Sequence, residues 1–382
     1  MVTRGLRPLL KRTKKSVLLL GPRQTGKSTL IHALSPELSI NLADEATYLE
    51  FARNPRELRD RLAGGTFRTV FIDEVQRLPG LLNTLQAIID ERASSPIKFY
   101  LTGSSARKLR RGHANLLPGR VHTYQLGPLT ASELNHRMDV QTALETGTLP
   151  GIWTEPDAGE RRKTLRSYAA TYLKEEIQAE ALTRNIEGFS RFLFVIAAEA
   201  GKFLDLSKLA SNTGIPRQSA SRFFEILEDT LIVRRCDAFR KSERRRLVQS
   251  PRFFFFDPGV LNGLLNNFSA SGDRIGTLFE HLLFSQIVHG AAAKDLDVRI
   301  SSYRTEHGAE VDFIVEIKGE LVAIEAKASK NVGKTDFRGL QSFSDYYGRK
   351  HRACVAYLGE VRKVIQGVEI LPWMALLKEL GL

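Results

Sequence analysis

Three apolar patterns follow one another along the chain. The first is a set of short unbroken runs at 17–20, 69–72 and 97–101, each ending at Gly or polar residues. Such runs predict strands of a parallel sheet buried on both faces. The second has a helical period. Leu165, Tyr168, Ala169, Tyr172 and Leu173 predict a long helix over 159–184. Leu206, Leu209 and Ala210 precede Gly214 and Pro216, and Ala220, Phe223, Phe224 and Leu227 follow. Two helices about a tight turn match helix-turn-helix spacing. They would leave Arg217, Gln218, Ser221 and Arg222 outside. "LIVRRCDAF" and "RFFFF", on either side of a basic turn at 241–246, predict a wing. Leu278, Phe279, Leu282, Leu283 and Ile287 predict a further helix from 274. The third pattern is strict alternation in "EVDFIVEIKGELVAIEAK", residues 310–327, which predicts a hairpin.

The chemistry sits where these patterns break. After the first strand, Gly21, Pro22, Arg23, Gln24, Thr25, Gly26, Lys27 and Ser28 fit G-x-x-x-x-G-K-[ST], and Thr29, next along, is taken with them as nucleotide-binding. Glycines let backbone N–H groups turn toward phosphate oxygens, and the following helix aims its positive end at the same charge. The expected ligand is ATP with Mg²⁺: Lys27 reaches the terminal phosphates and Ser28 holds the ion. The second strand ends in Asp73, a further Mg²⁺ ligand, and Glu74, which orients water. The third ends in Thr102, Ser104 and Ser105. One of these hydroxyls contacts phosphate or water, and Ser104 is taken as the nucleotide contact. Arg107 and Arg120 are the candidates for an arginine that serves a neighbouring subunit's phosphate.

"LLLGPRQTGKSTLI", "FIDEVQRLP", "YLTGSS" and "LPGRVHTYQLGPLTASEL" resemble, in order and spacing, the AAA-type ATPases that carry a C-terminal DUF4143 region. That resemblance implies an AAA+ core, a winged-helix middle and a nuclease-fold C-terminus. The expected fold is therefore α/β. A P-loop AAA+ domain with a parallel sheet would occupy 1–135, and a helical connector 136–185. A winged helix-turn-helix would occupy 186–260, and a PD-(D/E)xK nuclease-like domain 261–382.

In the hairpin, a turn centred on Lys318 and Gly319 sets Asp312 opposite Glu325. One centred on Gly319 and Glu320 sets it opposite Lys327. Either way Asp312, Glu325 and Lys327 share one face, and Val311, Phe313, Val315, Val322 and Ile324 take the other, expected to be the buried one. Two carboxylates about 5 Å apart need a cation between them. Asp312 and Glu325 suit Mg²⁺ or Mn²⁺, with Lys327 beside the phosphate and Glu280 adding a carboxylate. Glu280, Asp312, Glu325 and Lys327 resemble the PD-(D/E)xK nuclease set. The likeness departs from the pattern in having no Pro before Asp312, and "LQSFSDYYG" matches the associated Gln/Tyr motif only loosely. Cleavage and an inert scaffold both stay open.

Charge changes the picture most. The net charge is +13, and the basic residues cluster at Lys11, Arg12, Lys14 and Lys15, at 107–111 and at 240–246. That distribution suits a long polyanion, so DNA backbone is the expected partner. Two cysteines, Cys236 and Cys354, make neither a disulfide framework nor a zinc site. No apolar run reaches the roughly 20 residues of a membrane span, and the basic N-terminus lacks a signal core. A cytoplasmic protein with no membrane partner is expected. The reading is an ATP-hydrolysing AAA+ protein that binds and remodels branched or repair-type DNA. It would act as a homo-oligomer, with a hexameric ring among its open forms, and metal-dependent nuclease activity is left open. The alternative is an ATP-driven regulatory switch or binding module with an inert nuclease fold.

Overall fold

The computed structural model describes residues 2–92, 95–104, 117–172, 186–240 and 250–382. Ser105, Arg107, the rest of the second basic cluster, the whole of the predicted wing turn and the second half of the predicted long helix lie outside the described residues. The chain forms two compact units, Met1–Gly127 with Asp229–Leu231, and Pro128–Glu228 with Ile232–Leu382.

The first unit is built on five strands: β1 (Ser16–Leu20), β2 (Leu38–Asn41), β3 (Thr69–Asp73), β4 (Lys98–Gly103) and β5 (Val121–Gln125). They run in the order β2-β3-β4-β1-β5, and every pair is parallel. The unbroken apolar run of β1 has a direct cause. Leu18 and Leu20 pack into one core with Ile72, Leu101 and Leu85, while Val17 and Leu19 pack into another with Leu6, Leu30 and Phe71. Both faces are covered, so positions 17–20 are all apolar, and the one polar residue, Ser16, is buried with its hydroxyl accepting the Phe99 N–H. Parallel strands align their carboxyl ends, and this brings the ends of β1, β3 and β4 to one edge of the sheet.

The second unit carries eight more strands. They are β6 (Val233–Ala238), β7 (Arg252–Phe255), β8 (Val298–Arg304), β9 (Glu310–Ile317), β10 (Glu320–Lys327), β11 (Arg352–Tyr357), β12 (Lys363–Ile365) and β13 (Val368–Pro372). Their order is β12-β13-β11-β10-β9-β8-β6-β7. β6 pairs antiparallel with β7 and also runs parallel to β8 through Asp237 and Ser301. The strands predicted as a wing and the hairpin strands therefore belong to one sheet. Helices Leu206–Thr213 and Arg217–Asp229 meet about Gly214, whose φ of 64° is the left-handed conformation that ends a helix. Ala220, Phe223, Phe224 and Leu227 are buried on the second helix, while Arg217 and Gln218 are exposed.

The hairpin takes the first of its two registers. Lys318 and Gly319 both have positive φ, 52° and 80°, the geometry of a two-residue type I′ turn, and Ile317 faces Glu320. The expectation of a single buried face is corrected. Phe313, Val315, Val322 and Ile324 pack toward helix Ile275–Ala293, while Ile314 and Ala323, and Val311 against its expected face, pack on the opposite side under helix Arg338–Tyr347. Gly339 lets that second helix approach: a Cβ there would stand 1.7 Å from the Glu310 carbonyl oxygen. Tyr346, from the loosely matching motif, is a core residue of this layer.

Candidate functional site

The loop between β1 and helix Lys27–His32 wraps tightly. Gly26 is left-handed at φ 86°, and a Cβ on Gly21 would lie 2.1 Å from the Leu126 carbonyl oxygen. Both glycines are required by the path of the backbone. Thr25 closes the loop by donating its hydroxyl to the Pro22 carbonyl at 2.8 Å. Lys27 is buried, its ammonium donating to the carbonyls of Gly21 at 2.8 Å and Pro22 at 3.0 Å. Phosphate oxygens would compete with those carbonyls for the same charge. Pro22, Arg23 and Gln24 lie along the same loop, and Thr29 is in the helix that follows it.

Sequence reasoning missed Arg4. Its buried guanidinium donates to the Thr25 carbonyl at 2.6 Å and the Gly127 carbonyl at 2.8 Å. It therefore ties the loop to the chain beyond β5. No local motif marks such a residue.

The ends of β3 and β4 complete the constellation. Ser28 donates its hydroxyl to Asp73 at 2.7 Å, and Thr102 donates to the other carboxylate oxygen. Thr102 also accepts the Glu74 backbone N–H at 3.2 Å. Glu74 sits in the left-handed region at φ 57°, a costly conformation for a residue with a Cβ. Its carboxylate accepts from the Gln76 amide, which also donates to the Ser104 hydroxyl at 3.1 Å. Gln76 is buried, its Oε1 has no partner among the described residues, and a Cβ on Gly103 would crowd it at 2.8 Å. Gln76 is a second residue the sequence did not reveal, although it stands in the quoted motif. Lys27, Ser28, Asp73, Glu74, Thr102 and Ser104 thus gather at one sheet edge. Ser28 and Asp73 offer hard oxygen donors on converging side chains, held by neutral hydroxyl bonds, which fits Mg²⁺. Arg120 points elsewhere, into a two-pronged pair with Asp90 at 2.7 and 2.8 Å.

Family comparison follows the same division. Residues 13–135 match the AAA domain family. Over that span the chain is similar to AAA domains. Residues 275–376 match DUF4143 and 137–271 match DUF8612, both described as domains of unknown function. An uncharacterized protein of Mycobacterium tuberculosis, Rv2008c, is 27% identical over 321 residues, spanning 81% of this chain and 70% of that one. Two solved structures are more distant. The replication initiator DnaA bound to AMPPCP and single-stranded DNA is 13% identical, with TM-score 0.27, covering 58% of this chain and 85% of that one. Aeropyrum pernix ORC1 in complex with DNA is 14% identical, also at TM-score 0.27, covering 68% and 89%. At these scores the two structures decide neither ligand nor partner for the AAA-like domain. Among the described residues, no helix is long and apolar enough to cross a membrane.

The second predicted site lies in the DUF4143 region and differs in kind. Asp312, Glu280 and Glu310 converge on Arg252, a residue of β7 that the sequence placed in the wing. Its guanidinium donates to the Gly201 carbonyl at 2.7 Å, to Asp312 at 3.2 Å and to Glu280, with Glu310 at 3.7 Å. The other Asp312 oxygen accepts the Ala326 N–H at 2.8 Å. Glu325 pairs with Lys327 at 3.1 Å, and Lys327 reaches Asp336 at 3.5 Å. Only Glu325 Oε2 in the predicted set is buried without a partner among the described residues.

Burial raises the Glu280 and Glu325 carboxyls, and repulsion from Asp312 adds to it. Burial opposes the charge on Arg252, but Glu280 and Asp312 outweigh it and raise its pKa. Arg252 already places a positive charge against Asp312 and Glu280, which counts against Mg²⁺ or Mn²⁺ between them. Nor is any group of three or more His, Cys, Asp or Glu placed to hold a metal ion, among the described residues. Cys236 and Cys354 are buried thiols pushed up to about 12 by that burial, which leaves them without thiolate character at neutral pH.

Proposed function

We propose that this chain hydrolyses ATP and couples that step to binding and remodelling nucleic acid, with branched or repair-type DNA as the substrate and a homo-oligomer as the working form. One observation carries the enzymatic half: Lys27, Ser28, Asp73, Glu74, Thr102 and Ser104 meet at one sheet edge. The loop over 21–29 binds the phosphates through backbone N–H groups and Lys27. Ser28 and Asp73 would hold Mg²⁺, which supplies charge neutralisation on the phosphate oxygens. Glu74 orients the attacking water and accepts its proton. Gln76 keeps the Glu74 carboxylate within reach of Ser104, and Thr102 fixes Asp73 and the Glu74 backbone together. An arginine from a neighbouring subunit completes the site. Arg120 must leave Asp90 to play that part.

Nucleic acid is supported by charge. Lys11, Arg12, Lys14 and Lys15 are all exposed on a chain of net charge +13, and Arg217 and Gln218 are exposed on the second helix of the helix-turn-helix. Contacts of this kind track phosphate backbone. For the C-terminal region the ion pairs of Arg252 favour the second reading, a nuclease-like fold that binds without cutting.

The test is ATP turnover by the full chain with duplex, single-stranded and four-way DNA, at two salt concentrations. Stimulation that weakens with salt supports the proposal, since phosphate contacts release counterions. Absence of turnover sinks the enzymatic half. Turnover indifferent to every nucleic acid, with none retained at low salt, sinks the coupling.

A further inference from the structure

The DUF4143 acidic cluster contains a cation, and that cation is a side chain. Arg252 is buried at 5% exposure and reaches three carboxylates from two separate elements: Glu280 on a helix, and Glu310 and Asp312 on β9. Its Nε–H is spent on the Gly201 carbonyl, and its plane lies 5.1 Å from the centre of the buried Phe254 ring. The guanidinium is thus anchored on its backbone side and by the ring, and its outer nitrogens face the acids. It lines a cleft of about 600 Å³ together with Gly201, Lys202, Glu280, Arg304 and Glu310. Around that cleft further ion pairs form: Lys202 and Lys208 share Glu199, and Arg304 pairs with Glu310. A divalent ion at this cluster would share Asp312 and Glu280 with a guanidinium that already holds one oxygen of each. Displacing a guanidinium from such a site leaves it buried and uncompensated, which is strongly unfavourable.

We infer that Arg252 is the built-in counter-ion of Glu280, Glu310 and Asp312, serving in place of a divalent cation. The DUF4143 region of this chain therefore works without metal, and nucleic acid held there is not cut by metal-activated water. The inference does not rest on the ATPase reading, because unit two can be tested with no nucleotide present.

The test is Mn²⁺ titration of the full chain, followed by electron paramagnetic resonance and by melting temperature, for wild type, Glu325→Gln, Arg252→Met and Arg252→Lys. Glu325→Gln separates this cluster from Mn²⁺ bound at Ser28 and Asp73. Wild type is expected to show no Glu325-dependent binding up to millimolar Mn²⁺. Arg252→Met, with its acids unbalanced, is expected to gain at least tenfold in Mn²⁺ affinity and to melt higher when Mn²⁺ is added, because ligand binding to the folded form stabilises it. Arg252→Lys keeps the charge and is expected to remain indifferent. Wild-type binding that disappears in Glu325→Gln overturns the inference, and so does a folded Arg252→Met that ignores Mn²⁺. If Arg252→Met does not fold, the other three proteins decide. Indifference in wild type and Arg252→Lys upholds the inference, and Glu325-dependent binding in either refutes it.

Discussion

The two acidic sites of this chain solve the same electrostatic problem in opposite ways. In the AAA domain, Asp73 is held by the neutral hydroxyls of Ser28 and Thr102. Those bonds can be exchanged for a metal ion without stranding a charge. In the DUF4143 region, Asp312 and Glu280 are held by the guanidinium of Arg252. That bond cannot be exchanged without leaving a buried cation behind. A carboxylate is therefore poor evidence for metal chemistry until its partner is known. The same residue type in a similar strand setting is poised in one unit and locked in the other.

The largest expected effects break the comparison on the catalytic side. Lys27→Ala removes the phosphate-facing charge and should lower ATP turnover on the order of a hundredfold or more. Glu74→Gln should do the same while nucleotide binding survives. Measured binding together with turnover separates the two. Gln76→Ala frees the Glu74 carboxylate from Ser104 and should lower kcat by about tenfold with little change in KM, because it acts on orientation and not on binding. Equal kcat in wild type and Gln76→Ala would remove Gln76 from the mechanism.

Stability breaks the comparison in the other direction. Arg252→Ala leaves Glu280 and Asp312 buried without their partner, and loss of one member of a buried pair costs about 3–5 kcal/mol. Asp73→Asn, whose partners are hydroxyls, should barely move the melting of its own unit. Chemical denaturation followed separately for the two units reads both. Similar losses for the two variants would mean that Arg252 is less committed than its contacts indicate.

How much of this was legible in the sequence follows from distance along the chain. The phosphate loop was readable because its demands are local. Gly21, Gly26, Lys27 and Ser28 serve one turn of backbone, and Asp73 and Glu74 end an apolar run that could only be a buried strand. The hairpin was readable as far as two registers. The choice between them lay in the positive φ of Lys318, which a residue with a Cβ does not advertise. Arg252 was not readable: it lies 60 positions from Asp312 and 28 from Glu280, in a run that reads as one strand of a basic wing. That wing hairpin joins the larger sheet through β6 and β8, and this carries its arginine into the acidic cluster. The single-face expectation failed for a similar reason, since helix Arg338–Tyr347 comes from beyond the hairpin to cover its second side.

Protonation sharpens the contrast more gently. Burial, then Asp312, raises Glu325 to about 8 from 4.5, against the pull of Lys327; Glu280 is raised to about 8 by the same two causes, against Arg252. A carboxyl that binds its proton more tightly when folded adds stability that is fully present below its unfolded value. That stability is lost as pH rises through the folded value. The second unit should therefore melt lower as pH climbs from 5 to 8. Glu325→Gln, which cannot titrate, should show a shallower slope over that window. A slope unchanged by Glu325→Gln would assign the dependence to other groups.

The smallest expected effect concerns Arg120, and it bears on how the AAA domain assembles. Its pair with Asp90 is two-pronged but solvent-exposed, and such pairs add little to stability. Arg120→Ala should therefore leave the melting temperature almost unchanged. The informative quantity is turnover against protein concentration. While Arg120 stays with Asp90 it cannot reach a neighbour's phosphate, and the variant should keep turnover within a few-fold of wild type at every concentration. A hundredfold loss, recovered in part on mixing Arg120→Ala with Lys27→Ala, would have the opposite meaning. Each variant would then supply what the other lacks, an intact loop in one subunit and an intact arginine in the next. That can happen only if the arginine abandons Asp90 when subunits meet, so the Asp90 pair would be a resting latch and not a structural tie.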